Sequence, residues 1–288
     1  MAAILARRHG EAGRAAAAGE VRPDTAPGEP VSLADACPGR EVTVATPLGG
    51  RPYWLVGGPV ADVLPDEAPI EAEYAAVLRG ARQRFDELSA SAGLCHLADG
   101  GPGGPLFMDI ETCGLSGAMI FLVGLMRYAG GRLVYAQHLA RDYAEEAPVL
   151  AAFAEALTSA GALVTFNGKS FDMPMIRERS IIHRVELPSA DGPPDNRLPP
   201  HLDLLHDARR RWKGQLPNCR LQTLESHLCC RARTGDIPGG DIPDAYQQFV
   251  RDGDARRLRA ICRHNLLDML TMVQLVCMLL TGCDGDGQ

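Results

Sequence analysis

The spacing of apolar residues along the chain divides it into elements. From 41 to 58, EVTVATPLGGRPYWLVGG alternates apolar and polar positions around a Pro-Leu-Gly-Gly turn, which predicts a short hairpin. Ile70, Tyr74, Val77, Leu78, Ala81 and Phe85 recur at helical spacing and predict an amphipathic helix over 69–92. Apolar runs at 106–111 and 118–128 read as strands, and a third strand spans 132–139 after the turn Ala129-Gly130-Gly131. Helix and strand patterns then alternate: helix 145–160, strand 162–166, helix 172–182, strand 201–205, helix 220–231 and a long helical region over 254–280. Three strands followed by this alternation imply a mixed β-sheet flanked by helices, an α/β fold. DGGPGGP, at 99–105, reads as a linker.

The expected organisation has four parts. Residues 1–39, rich in Ala, Gly, Pro and Glu, lack apolar periodicity and are expected to be disordered. Residues 40–100 form a hairpin-and-helix extension, 101–281 the α/β domain, and 282–288 a tail.

Composition narrows the class. With 46% hydrophobic and 23% charged residues, the chain has the balance of a soluble globular protein. The longest clean apolar run, 117–126, is too short to span a bilayer, and the first twenty residues lack the apolar core of a secretory signal. The expectation is a cytoplasmic protein without a membrane partner. Nine cysteines, an odd number with no CxxC pair, are expected to be reduced and mostly buried. His206, Cys219, His227, Cys229 and Cys230 match no standard zinc spacing.

The net charge of −7 weighs against a nucleic-acid partner until its distribution is considered. Residues 1–200 hold 17 Lys and Arg against 25 Asp and Glu, whereas residues 201–263 hold 12 against 8. Positive charge is thus concentrated in one part of the chain, which includes the run Arg209-Arg210-Arg211-Trp212-Lys213. Such a run can track phosphates, with Trp212 stacking on a base. The plainer alternative is a solvated helix face with Trp212 turned inward.

The candidate chemistry lies in three separated segments. In FMDIETCGLSG, strand alternation places Asp109 and Glu111 on one face, two like charges that repel and lose hydration together. In FNGKSFDMP a strand ends at Asn167, a turn passes Gly168, and Asp172 opens a helix, where it could also serve only as a cap. In HNLLDML, His264 and Asp268 stand four apart and share a helix face. Each segment alone is a weak signal. Together they bring four carboxylates toward one point, an arrangement that divalent cations stabilise. Hard oxygen ligands suit Mg²⁺ or Mn²⁺, and two such ions can stabilise both the attacking and leaving oxygens of a phosphodiester.

DIET with a following Gly-Leu, NGKSFD and HNLLD, in that order, resemble the three motifs of the DEDD superfamily of 3′–5′ exonucleases. HLDLLHDARRRWKG, CRLQTLE and RTGDIPGGDIPDAY resemble its YprB-like bacterial branch, over about residues 104–281. The resemblance implies an RNase H-like fold and a metal-dependent 3′–5′ exonuclease. It implies Asp109, Glu111, Asp172 and Asp268 as ligands of two Mg²⁺ or Mn²⁺ ions. His264 would be the general base, in the position a tyrosine holds in the tyrosine subclass. An imidazole, with an unperturbed pKa of about 6.5, suits a base near neutrality. Leu115 matches the apolar residue pressed against the terminal base, Asn167 supports the strand end, and Cys113 stands where threonine is usual.

Lys169, Arg210, Arg211 and Trp212 complete the candidate substrate contacts, and Arg231 and Arg233 precede a loop expected near the cleft. Nucleic acid is the expected partner, DNA favoured over RNA, with a helicase or repair protein as a further partner. The alternatives are an RNase H-fold endonuclease, an RNA 3′-end trimming exoribonuclease and a non-catalytic binding module. If the carboxylates only repel, replacing Asp109 or Asp268 with Ala should hold or raise the melting temperature of the metal-free protein.

Overall fold

The fold was obtained as a computed structural model that describes residues 29–281, apart from 48, 82–93, 95–96, 98–102, 116 and 194–195. Among the described residues, seven strands form one sheet: β1 (Arg40–Val44), β2 (Arg51–Pro59), β3 (Pro105–Thr112), β4 (Ile120–Ala129), β5 (Arg132–Leu139), β6 (Ala162–Thr165) and β7 (His201–Asp203). Their order is β1-β2-β5-β4-β3-β6-β7. Strands from β1 through β3 pair antiparallel, while β6 lies parallel to β3 and β7 parallel to β6. The main flanking helices are α1 (Pro69–Ala81), α2 (Glu146–Thr158), α3 (Asp172–His183), α4 (Leu204–Trp212), α5 (Ile242–Asp252) and α6 (Arg256–Thr281). This is the mixed α/β sheet flanked by helices that the apolar pattern implies.

β3 and β4 are apolar on both faces because helices cover them. Phe107, Met108, Ile120, Phe121, Leu122 and Val123 are all buried, as expected for central strands rather than a half-wet sheet. α6 packs along β3 and β4 and against α1. By length and composition α6 is apolar enough to cross a membrane, but most of it is buried inside the protein, as in a core helix.

The structure departs from the sequence expectations at several points. Residues 29–39 are ordered rather than structureless: Leu33–Ala36 forms a helical turn capped by Ser32, and Ala36 and Cys37 enter the core. Arg259 on α6 holds that turn by donating to the carbonyls of Ala36 and Asp35, at 2.9 and 2.7 Å. The hairpin β1–β2 joins the sheet itself, with Trp54 opposite Leu139 and Pro59 opposite Val134. The strand expected over 201–205 ends at Asp203, whose side chain accepts from Leu205 N and caps α4. The helix expected over 220–231 is only a turn, Leu221–Leu224, followed by one π-type turn over Glu225–Cys229. α5 was not anticipated. Residues 1–28 and 282–288, the far part of the helix expected over 69–92, and most of the linker at 99–105 lie outside the described residues.

Candidate active site

β3 pairs with β4 along most of its length but with β6 only from Pro105 to Phe107. Asp109 and Glu111 therefore lie beyond the parallel pairing, at the carboxyl end of the strand, where open α/β sheets form their crevices. The β3–β4 register shifts between Glu111 and Thr112, immediately after the acidic pair.

The second segment is shaped by a tight turn. Asn167 adopts φ 67°, a left-handed conformation that asparagine tolerates better than most residues. A Cβ on Gly168 would stand 2.4 Å from Thr165 Oγ1, so only glycine fits. Asp203, at the end of β7, receives the N–H groups of Asn167 (2.8 Å), Lys169 (3.1 Å) and Leu205 (3.1 Å), which joins this turn to the start of α4. The turn delivers Asp172 as the first residue of α3. Asp172 is buried and does not cap that helix, whose N-cap is Phe171.

α6 contributes the third segment. Asn265, one residue after His264, donates to Asp109 Oδ2 at 2.8 Å and to the Asp109 carbonyl at 3.1 Å. Its Oδ1 accepts from Gln137 at 2.9 Å. Gly124 stands opposite Asp109 on β4, and a Cβ there would meet Asn265 Oδ1 at 1.9 Å. The missing side chain is what admits Asn265 to the sheet.

The carboxylates of the three segments perturb one another. Burial pushes Asp109 well above the usual carboxylate range, and Asp268, Glu111 and Asp172 push it further. Glu111 is raised by burial and then by Asp268, Asp172 and Asp236. Burial also drives Asp172 up to about 7, against hydrogen bonds from the backbone of Asp172 and Ile110, with Asp203 and Asp268 adding to the rise. Asp268 is raised by burial, while Arg233 and His264 pull it down.

Two residues of the loop before α5 complete the cluster. Arg233 donates through Nη2 to Asp268 Oδ1 and through Nε to Glu225 Oε2 at 2.5 Å. Asp236 lies 2.9 and 3.1 Å from His264 Nδ1 through its two oxygens. With Nδ1 donating to that carboxylate, His264 turns Nε2 toward Asp268 Oδ2, 3.6 Å away. From the sequence, Arg233 is expected only near the cleft, and no motif assigns a role to Asp236 or Asn265. The DIP of the loop was a visible signal without a partner, because His264 lies 28 residues further on.

The remaining candidates divide. Leu115 lies in the β3–β4 loop and is 80% exposed. Lys169 is exposed beside the Asp203 turn. Arg210 is exposed on α4 and pairs loosely with Asp207 at 3.7 Å, and Arg211 is partly exposed. Trp212 does not fit the base-stacking role. It is 7% exposed, because helical spacing turns it inward with Leu205 and Ala208. His206 and His227 are exposed and Cys229 is buried, and among the described residues no three His, Cys, Asp or Glu side chains form a ready metal cage. The seven described cysteines are free thiols.

A family profile described as RNase_H superfamily matches residues 106–280, from β3 to the end of α6. The chain belongs to the RNase H superfamily. Every element that positions the acidic cluster lies within the matched region, and the sheet has the RNase H-like arrangement expected from the motifs. Membership points to a nuclease, a hydrolase acting on nucleic acid. The chain is also 34% identical over 174 residues to the Bacillus subtilis (strain 168) protein named "Uncharacterized protein YprB". That alignment covers 59% of this chain and 40% of YprB, so the chain spans well under half the length of this relative.

Proposed function

We propose that this RNase H superfamily member is a metal-dependent 3′–5′ exonuclease that removes nucleotides from nucleic acid. The observation that carries the reading is the cluster itself: Asp109, Glu111, Asp172 and Asp268 arrive from three elements, and Asp268 raises the proton affinity of each of the other three. Four all-oxygen donors in mutual repulsion fit hard divalent cations, and these four would hold two Mg²⁺ or Mn²⁺ ions. Bound there, the ions supply charge stabilisation to the attacking and leaving oxygens.

The chain's own residues do the rest. His264, with its tautomer held by Asp236, takes a proton from the attacking water at Nε2. Asn265 fixes the Asp109 carboxylate. Exposed Leu115 supports the terminal base, Asn167 shapes the strand-end turn, and Lys169, Arg210 and Arg211 meet phosphates. DNA in repair or processing is the favoured substrate on the motif resemblance, with cytoplasmic action and a helicase or repair partner.

The experiment is digestion of matched DNA and RNA, labelled at one end, with and without Mg²⁺ or Mn²⁺. Stepwise shortening from the 3′ end that needs metal and fails in Asp109→Asn supports the reading. Cleavage that persists in Asp109→Asn overturns it.

A further inference from the structure

Among the described residues the four carboxylates do not form a ready-made cage, and one of them already has a cationic partner. The Asp268 carboxylate is already engaged at Oδ1 by Arg233, while its Oδ2 lies 3.6 Å from His264 Nε2, beyond hydrogen-bond distance. Arg233 is 8% exposed, and its guanidinium touches three acids: Asp268, Glu225 and, at 3.5 Å, Asp236. Arginine stays charged under all ordinary conditions, so this is a fixed positive charge set among the acidic groups.

The neighbourhood holds it there. Arg231, two residues earlier, is anchored by Glu67 at 2.8 Å, Glu225 at 2.8 Å, Thr271 at 3.0 Å and Gln274 at 2.6 Å. Glu225 is buried and receives both arginines as well as Thr271 Oγ1. The loop is thereby pinned to α6, and Arg233 is delivered to Asp268 rather than left in solvent.

We propose that Arg233 is a resident counter-cation of the acidic site, held on Asp268 in the metal-free protein and given up by Asp268 when a divalent ion binds. This rests on the reading of Asp268 as a metal ligand. Arg233 compensates the buried negative charge while no metal is present, which favours the folded state. It also weakens cation binding, because an incoming ion must take an oxygen from a guanidinium and tolerate a positive neighbour. Glu225 retains the Nε hydrogen bond, so Arg233 need not leave the site when Asp268 changes partner. The role is one of positioning and charge balance.

The opposite role is equally definite. If Arg233 mainly orients Asp268 for the metal, its removal would weaken metal binding. The sign of the change decides between them.

The test is Mn²⁺ binding to the full chain, read by calorimetry and by the paramagnetic resonance of free Mn²⁺, with melting temperature as a second readout. Arg233→Gln should bind Mn²⁺ at least tenfold more tightly than wild type and melt lower without metal. Arg233→Lys keeps the charge but lacks the fork that spans Glu225 and Asp268; it should retain more stability and show a smaller gain in affinity. Arg231→Lys, which loosens the loop that delivers Arg233 to Asp268, should melt lower and gain less Mn²⁺ affinity than Arg233→Gln. If wild type binds Mn²⁺ and both Arg233 variants bind it equally or less tightly, the counter-cation role is overturned and the metal reading stands. If neither wild type nor any variant binds Mn²⁺, both fail.

Discussion

Asp172 shows how much one carboxyl can report about this site. Burial and nearby acids place its pKa at about 7 in the folded protein, against about 3.9 for an unfolded aspartate. The folded metal-free chain therefore keeps a proton that the unfolded chain has released. The stability this contributes is complete below about pH 4 and is lost as the pH rises through about 7. From pH 5 to pH 8, metal-free wild type should thus lose a few kcal/mol relative to Asp172→Asn, at about 1.4 kcal/mol per pKa unit. Parallel urea-midpoint profiles for the two proteins across that range would contradict the buried placement. Asp268 behaves differently, and here the expectation drawn from repulsion alone needs correcting. Because Asp268 pairs with the nearly buried Arg233, Asp268→Ala should lower the metal-free melting temperature, a loss of about 3 kcal/mol for a broken buried pair. The four acids stand out as candidates in the sequence because their motifs are local. Arg233, Asp236 and Asn265 were not, since their partners lie 35, 28 and 156 residues away and no periodicity marks them.

The strands and helices with strong periodicity were the most legible elements. β5 and α3 fall within a residue of their expected spans, because apolar alternation and a clear helix start mark both. α5 was missed although its signals stood in the sequence: Ile242, Ala245, Tyr246 and Phe249 are spaced at 3, 4 and 7, Pro243 sits in its first turn and Gly253 closes it. The Asp-Ile-Pro repeat drew attention to a loop instead. The segment over 220–231 failed in the opposite sense, since its polar residues serve the Glu225–arginine network rather than a continuous helix. α5 is anchored by Tyr246, which stacks on Phe121 with ring centroids 4.0 Å apart and donates to the Ala140 carbonyl at 3.0 Å. Tyr246→Ala should cost about 3–5 kcal/mol in urea unfolding, the range for a large buried aromatic. Tyr246→Phe, which removes only the hydrogen bond, should cost about 1 kcal/mol. Equal losses for the two would mean that the stacking contributes nothing.

Across the whole molecule, the sheet brings the carboxyl end of β3, the start of α3 and the middle of α6 to one place, while an excess of positive charge sits in residues 201–263. The class of sheet could be read from the order of strands and helices. That the hairpin β1–β2 extends the same sheet could not, because the pairing of Trp54 with Leu139 far along the chain leaves no mark in a local pattern. With Trp212 buried, the proposed nucleic-acid contact of α4 rests on its charges alone. Neutralising Arg209, Arg210, Arg211 and Lys213 together should weaken single-strand binding and flatten its salt dependence, by about 0.7 in the log–log slope for each phosphate the protein ceases to neutralise. An unchanged slope would make the run a solvated face. The most direct measurement follows product lengths over time on a 5′-labelled strand with Mn²⁺, beside the same strand blocked at its 3′ end and a closed circle. A ladder shortening one nucleotide at a time from the free 3′ end, absent from the blocked strand, the circle and the Asp109→Asn protein, is the expected result. Cutting of the circle would contradict an exonuclease, and an unchanged ladder with Asp109→Asn would contradict the acidic cluster as its active site.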